Sequence, residues 1–216
     1  MGRWSLGVVD VAFGIDDVVA ASVRARDLGF EHIDVLIAVD PADLAVAPGC
    51  PTAFPKPVAG WCSTPAYADA PGAWEAMVRH FRAAPGCLME PHKHAAVNSL
   101  ESMRAMADEV DGLRFLVDTG HVADWGGDPV ELLEFADHVQ LRQGRPGTTQ
   151  LHVDDPTGVV DFVAVLDRLD AIGYEGMLSV EHFDLPDHGW GCADPVGWAC
   201  DLRDHVRGLL DRLDRA

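Results

Sequence analysis

Four apolar runs in this chain each stop on a residue with a hard oxygen. GCLM ends at Glu90, RFLV at Asp118, HV at Gln140 and MLSV at Glu181. Between the later runs lie helix-like segments, VELLEFA and FVAVLDRLDAIG. A short apolar run that turns polar at its last residue reads as a buried parallel strand with a functional end. Strands alternating with helices require a parallel sheet and crossover helices. Two architectures satisfy that, an open doubly wound sheet and a closed barrel. No G-x-G-x-x-G follows the first strand, so the nucleotide-binding form of the open sheet has no support. In a barrel, reactive groups gather at the C-terminal ends of strands, where all four oxygen-bearing residues fall. Together they can hold one divalent cation.

The rest of the chain extends the alternation. SLGVVDVAF (5–13) reads as a first strand, and Asp16 or Asp17 can open the helix DDVVAASVRARDLGF, which Gly29 can stop. EHIDVLIAV is a second strand. Residues 40–57 are rich in Pro and Ala and read as a long loop. VAGWCS is a short third strand, followed by the helix APGAWEAMVRHFRAA. Ser99, with Asn98 as the alternative, caps SLESMRAMADEV. The last 23 residues, with Pro195 near their start, form a closing amphipathic helix.

A chain of 216 residues is expected to be one domain, 1–216. Its net charge of −19 disfavours nucleic acid and anionic membrane. No run approaches the length of a membrane span. Five cysteines without a C-x-x-C pair read as reduced thiols, and no signal segment is visible, so a cytoplasmic location is expected.

The segments LMEPH, FLVDTGH, DHVQLRQ and GYEGMLSVEHF, in this order, resemble the xylose-isomerase-like barrel superfamily of sugar phosphate isomerases and epimerases. DHVQLRQGRPG with GVVDF and GYEGMLSVE is similar to the hydroxypyruvate isomerases. The resemblance implies a (β/α) TIM-type barrel with Glu90, Asp118, Gln140 and Glu181 as metal ligands. It implies that Glu90 and Glu181 also move the proton. His121 matches a histidine near the metal, and Arg142 and Arg145 fall where relatives contact substrate. His92, in EPHKH, is a candidate substrate contact beside its reading as a plain rim residue. Relatives carry eight strand–helix units. Here one helix stands between VAGWCS and GCLMEP, so one unit is missing and seven parallel strands are expected. The seam exposes strand edges, which a covering loop or a homodimer would shield.

Carboxylate and amide oxygens suit Mg²⁺ or Mn²⁺, with Co²⁺ or Zn²⁺ as alternatives. Such a cation would polarise a hydroxy ketone or aldehyde and stabilise the enediolate left by proton removal. The expected activity is therefore isomerisation or epimerisation of a sugar, sugar phosphate or hydroxy-keto acid. The alternatives are a metal-dependent lyase or hydrolase in specialised metabolism, or a non-catalytic barrel. By strand alternation Arg142 shares the side of Gln140, and His182 faces away from the site of Glu181.

Overall fold

The computed structural model describes residues 3–15, 17–35, 71–83, 88–186 and 190–215. Six parallel strands form its main sheet: β1 (Leu6–Val9), β2 (Ile33–Asp34), β3 (Leu88–Met89), β4 (Arg114–Asp118), β5 (Ala136–Leu141) and β8 (Met177–Val180). Their order is β2-β1-β8-β5-β4-β3. The first strand therefore pairs with the last, so the sheet curls on itself as a partial barrel rather than fanning out. The gap falls between β2 and β3. VAGWCS, expected as the further strand, and the Pro-rich loop lie outside the described residues.

Strand register sorts the side chains into two sets. Val8 pairs Ile33 and Val180, Met89 pairs Phe115, and Val139 pairs Val117 and Leu178. These residues face the helices and belong to one buried apolar cluster. The other set faces the barrel axis and mixes polar side chains with Gly7, Val9 and Leu116. Gly7 pairs Ser179, Val9 pairs Asp34, Leu116 pairs His138, and Gln140 pairs Asp118 and Ser179. Polar side chains on the inner face make an interior that must be hydrogen-bonded throughout.

The helices begin where side-chain oxygens can satisfy open backbone donors. Asp17 caps α1 (Val18–Asp27), accepting from the backbone of Val19 at 2.9 Å. The second helix, α2, spans Ala73–Ala83. At α3 (Leu100–Glu109) the cap is Ser99, in a reciprocal box with Ser102. Asp161 caps α6 (Phe162–Ala171), and Asp194 caps α7 (Pro195–Leu213) with Pro195 in its first turn. Among the described residues no helix is long and apolar enough to cross a membrane.

Two expectations are corrected and one unassigned segment is placed. The first strand does not run to Phe13. It stops at Val9, and Asp10–Phe13 coil into a 3-10 turn closed by Gly14 at φ 60° with its N–H on the Val11 carbonyl. VELLEFA is not one helix: α5 (Pro129–Leu132), capped by Asp128, tightens at once into a 3-10 turn, Leu133–Phe135. QGRPGTTQ, unassigned from sequence, is an antiparallel hairpin of β6 (Gln143–Arg145) and β7 (Thr148–Leu151), turned at Pro146 and Gly147, with Gly147 at φ 81°.

Candidate active site

The segment Asp118-Thr119-Gly120-His121 builds one wall of the site. Asp118 ends β4 and its Oδ1 accepts from the backbone N–H of His121 at 2.9 Å, starting the short helix α4 (Thr119–Asp124). Thr119 Oγ1 accepts from Arg142 N and donates to Arg142 O, both at 2.8 Å. Gly120 lies against the hairpin, where a Cβ would come 2.8 Å from Arg142 Cβ and closer still to the Thr149 carbonyl. These contacts lock the end of β5 onto α4 and direct the His121 ring to the barrel mouth.

There His121 meets the two expected acid–base residues. Glu90, His121 and Glu181 are all buried, and each offers a ligand atom within 4.8 Å of the others. His121 Nε2 stands 3.5 Å from Glu90 Oε1. Two carboxylates and an imidazole are a donor set that could hold a divalent cation. An imidazole among the donors shifts the preference from Mg²⁺ toward Mn²⁺, Co²⁺ or Zn²⁺.

Of the other two expected ligands, Asp118 is tied to Arg142. The Arg142 Nη2 lies 2.8 Å from Asp118 Oδ2 and 2.6 Å from Glu181 Oε2, while its Nε reaches Asp118 Oδ2 at 3.0 Å. Arg142, expected from sequence as a substrate contact, is fully buried and bridges carboxylates from the ends of β4 and β8, the two strands that flank β5. Its charged carbon also stands 5.3 Å over the Phe183 ring. Gln140 donates from Nε2 to Asp34 Oδ2 at 3.2 Å, and its own Oε1 is buried without a hydrogen-bond partner. Arg145 is exposed at the hairpin end, away from these contacts.

The electrostatics follow from burial. Glu90, Asp118 and Glu181 face one guanidinium. Burial, then the charge of Asp118, pushes the Glu90 carboxyl up to about 8. Burial likewise raises Glu181 well above the usual carboxylate range, although Arg142 opposes the rise. His121 is driven well below the ordinary imidazole value by burial and next by Arg142, so it is neutral. A buried excess of negative charge beside an orphaned amide oxygen fits a divalent cation.

An aromatic wall closes one side. The His92 ring lies 4.3 Å from that of His121, and Trp190 stands edge-on to His92 at 5.8 Å, to His121 at 6.1 Å and to Phe183 at 5.6 Å. Gln150 holds Trp190 and Phe183 in place by donating to both carbonyls, at 2.9 and 2.8 Å. Lys93 pairs with the buried Asp124 at 2.5 Å. His182 is turned away and packs edge-on against Trp198 of α7 at 5.7 Å. Of the other tryptophans, Trp4, Trp61 and Trp125 are open to either a pocket or a core reading from sequence. Trp4 is in the core with its indole N–H on the Tyr174 carbonyl, Trp125 packs against the core, and Trp61 lies outside the described residues.

The sequence profile described as xylose isomerase-like TIM barrel matches residues 10–207. Among curated proteins none matches the chain. Solved structures with the same arrangement include the apo form of 3-keto-D-glucoside 4-epimerase from E. coli, with a TM-score of 0.66 and 14% identity over 95% of this chain and 99% of that one. An L-ribulose 3-epimerase gives 0.67 and 15%, covering 98% of this chain and 96% of its own. D-allulose 3-epimerase from Methylomonas sp. gives 0.63 and 16%, covering 97% and 99%.

Proposed function

We propose, for a chain that belongs to the xylose isomerase-like TIM barrel family, a divalent-metal-dependent isomerase or epimerase acting on a sugar-like hydroxy ketone. The observation that carries the reading is the buried trio of Glu90, His121 and Glu181, two carboxyls and a neutral imidazole with donor atoms within 4.8 Å of one another. These three would hold the metal, with Asp118 and the free Oε1 of Gln140 adjoining. A divalent cation bound there supplies Lewis acidity that lowers the pKa of the C–H beside a carbonyl.

The protein's own groups move the proton. One glutamate, as carboxylate, removes it from the α-carbon, and the other, as its acid, returns one. Return to the neighbouring carbon interconverts aldose and ketose, and return to the opposite face inverts the centre. Arg142 keeps Asp118 and Glu181 in fixed positions during that exchange. The wall of His92, Trp190 and Phe183 offers an apolar surface to the C–H face of a sugar and keeps water from the reacting carbon. That similar folds belong to epimerases of 3-keto-D-glucoside, L-ribulose and D-allulose supports a sugar-like substrate.

The test is solvent exchange. The Mn²⁺-loaded protein in D₂O is expected to place deuterium at the α-carbon of at least one member of a panel of ketoses and 3-keto sugars, and EDTA stops it. Glu90→Gln and Glu181→Gln should each lower the rate by about 10²–10⁴-fold, the usual share of a general acid or base. Exchange that continues unchanged in both variants, or a wild-type protein that binds Mn²⁺ yet exchanges no substrate, refutes the reading.

A further inference from the structure

Beneath the carboxylates lies a second polar group that the chemistry above does not use. Asp34, at the end of β2, is 4% exposed. Its Oδ2 is 2.6 Å from His138 Nε2 and accepts from Gln140 Nε2 at 3.2 Å. Its Oδ1 is 3.6 Å from His32 Nε2. The His32 ring is itself pinned, with Nδ1 at 2.8 Å from Ser5 Oγ and Nε2 at 2.8 Å from Ser179 Oγ. Four strands, β1, β2, β5 and β8, or the residues just before them, feed this layer. It exists because Gly7 has no side chain: a Cβ there would lie 2.3 Å from the His32 ring.

We infer that Asp34 is a positioning residue for the candidate metal site, because it dictates which end of the Gln140 amide faces upward. An ionised carboxylate accepts and cannot donate. Against Asp34 the Gln140 side chain must therefore present nitrogen, which leaves Oε1 pointing elsewhere. That oxygen is the one found buried and without a hydrogen-bond partner. Gln140 is the direct register partner of Asp118 on β4 and of Ser179 on β8, two residues before Glu181, so its oxygen belongs to the same end of the same inner face. Without Asp34 the amide could turn over and offer the cation its NH₂, which is no ligand. The network below, through His138, His32, Ser5 and Ser179, holds Asp34 itself in place. This inference rests on the metal reading above and adds to it a residue that touches neither metal nor substrate.

A thermodynamic cycle tests it on the full-length protein stripped with EDTA. Free Mn²⁺ is followed by electron paramagnetic resonance, with no substrate present. Asp34→Asn keeps the size but no longer imposes an acceptor. It should weaken Mn²⁺ binding by about 10–100-fold, the usual effect of losing an outer partner of a ligand. Gln140→Leu should weaken it at least as much, and the double variant should be no worse than Gln140→Leu alone. If the two losses multiply, or if Asp34→Asn binds within about twofold of the unmutated protein, Asp34 does not act through Gln140. If the unmutated protein takes up no Mn²⁺, the proposed function and this inference both fall, so the two failures are distinguishable.

A second measurement does not depend on a variant that folds. In ¹⁵N spectra of the unmutated protein, the Gln140 side-chain amide should give a slowly exchanging, widely split pair of protons. Adding Zn²⁺ should shift its nitrogen while the slow exchange persists. A rapidly exchanging Gln140 amide before or after the metal overturns the inference.

Discussion

Replacing Arg142 by Met isolates the role of one guanidinium. The Met side chain fills most of the aliphatic stem, and the backbone bonds between residue 142 and Thr119 Oγ1 are untouched. What disappears is the cation 2.8 Å from Asp118 and 2.6 Å from Glu181, in a setting with no solvent exposure on the arginine side. Removing one partner of a buried ion pair typically costs about 3–5 kcal/mol, because the other partner is left charged and unsolvated. At roughly 2–4 °C per kcal/mol for a domain of this size, the melting temperature in EDTA should fall by about 6–20 °C. A divalent cation would replace part of the lost charge. At a hundred times its Kd, binding stabilises a protein by about 2.7 kcal/mol, and the variant should recover more with Mn²⁺ than the wild type gains. Paired urea titrations with and without Mn²⁺ provide the check. A loss under about 1 kcal/mol in EDTA would mean the two ion pairs do not hold the site together. Equal gains from Mn²⁺ in both proteins would mean that the cation does not share the carboxylates with Arg142.

Two further outcomes follow from the polar interior. Gly7→Ala places a Cβ 2.3 Å from a ring that Ser5 and Ser179 already fix, so the ring cannot yield and the layer must deform. Overpacking of this kind costs about 1–3 kcal/mol, read from the urea midpoint, and Gly7→Ala at wild-type stability would show that His32 is not held there. Burial holds the His32 imidazole down at about 4, against the partial opposition of Asp34. The folded value is below the unfolded one, so its contribution is complete above pH 6.5 and is lost as pH falls from 6.5 toward 4. Each excluded proton adds about 1.4 kcal/mol per pH unit within that window. His32→Asn should make the acid limb of a stability–pH curve shallower by one proton, and an unchanged slope would contradict a neutral, buried His32.

The parts of the site that were legible in the sequence are those where strand chemistry changes abruptly. Asp118 ends β4, Glu90 and Glu181 directly follow β3 and β8, and Gln140 is the last polar residue of β5 before Leu141. A buried parallel strand that turns polar at its end has few structural reasons to do so. The caps at Asp17 and Ser99 and the early Pro195 were legible for the same kind of local reason. His32, Asp34 and His138 were hidden. Each sits inside a run that reads as one apolar strand, and hydrophobic periodicity cannot tell a polar barrel axis from solvent. The hairpin of β6 and β7 is polar in sequence, and Pro146-Gly147 is its local turn signal. The six residues of α4 are too few for helical periodicity, although Asp118, three residues before His121, is a cap signal. The place of Arg142 depended on Asp118 and Glu181 coming together from separate strands, and no local pattern records that. Trp190 reaches the site because Gln150 of the hairpin holds its backbone, a contact across 40 residues.

Under the proposed function, Arg142 sets the charge that a metal would have to balance. A planar guanidinium can bridge two carboxylates, as Arg142 after β5 does for Asp118 of the flanking β4 and Glu181 at the end of the flanking β8, whereas a lysine would offer a single point of charge. It fixes the spacing of β4 and β8 before any ligand arrives. Yet three buried carboxylates against one guanidinium leave two negative charges uncompensated. Two protons could cancel them, and the raised values of Glu90 and Glu181 are the response of the site without a cation. With both glutamates protonated, however, neither could remove a proton from substrate. One divalent cation cancels the same charge and leaves a carboxylate free to act as base. Adding a dication to the stripped protein near pH 7 must then expel protons, between one and two per site. Calorimetry in two buffers of different ionisation enthalpy counts them, and binding without proton release would break the link between Arg142, the glutamates and the metal.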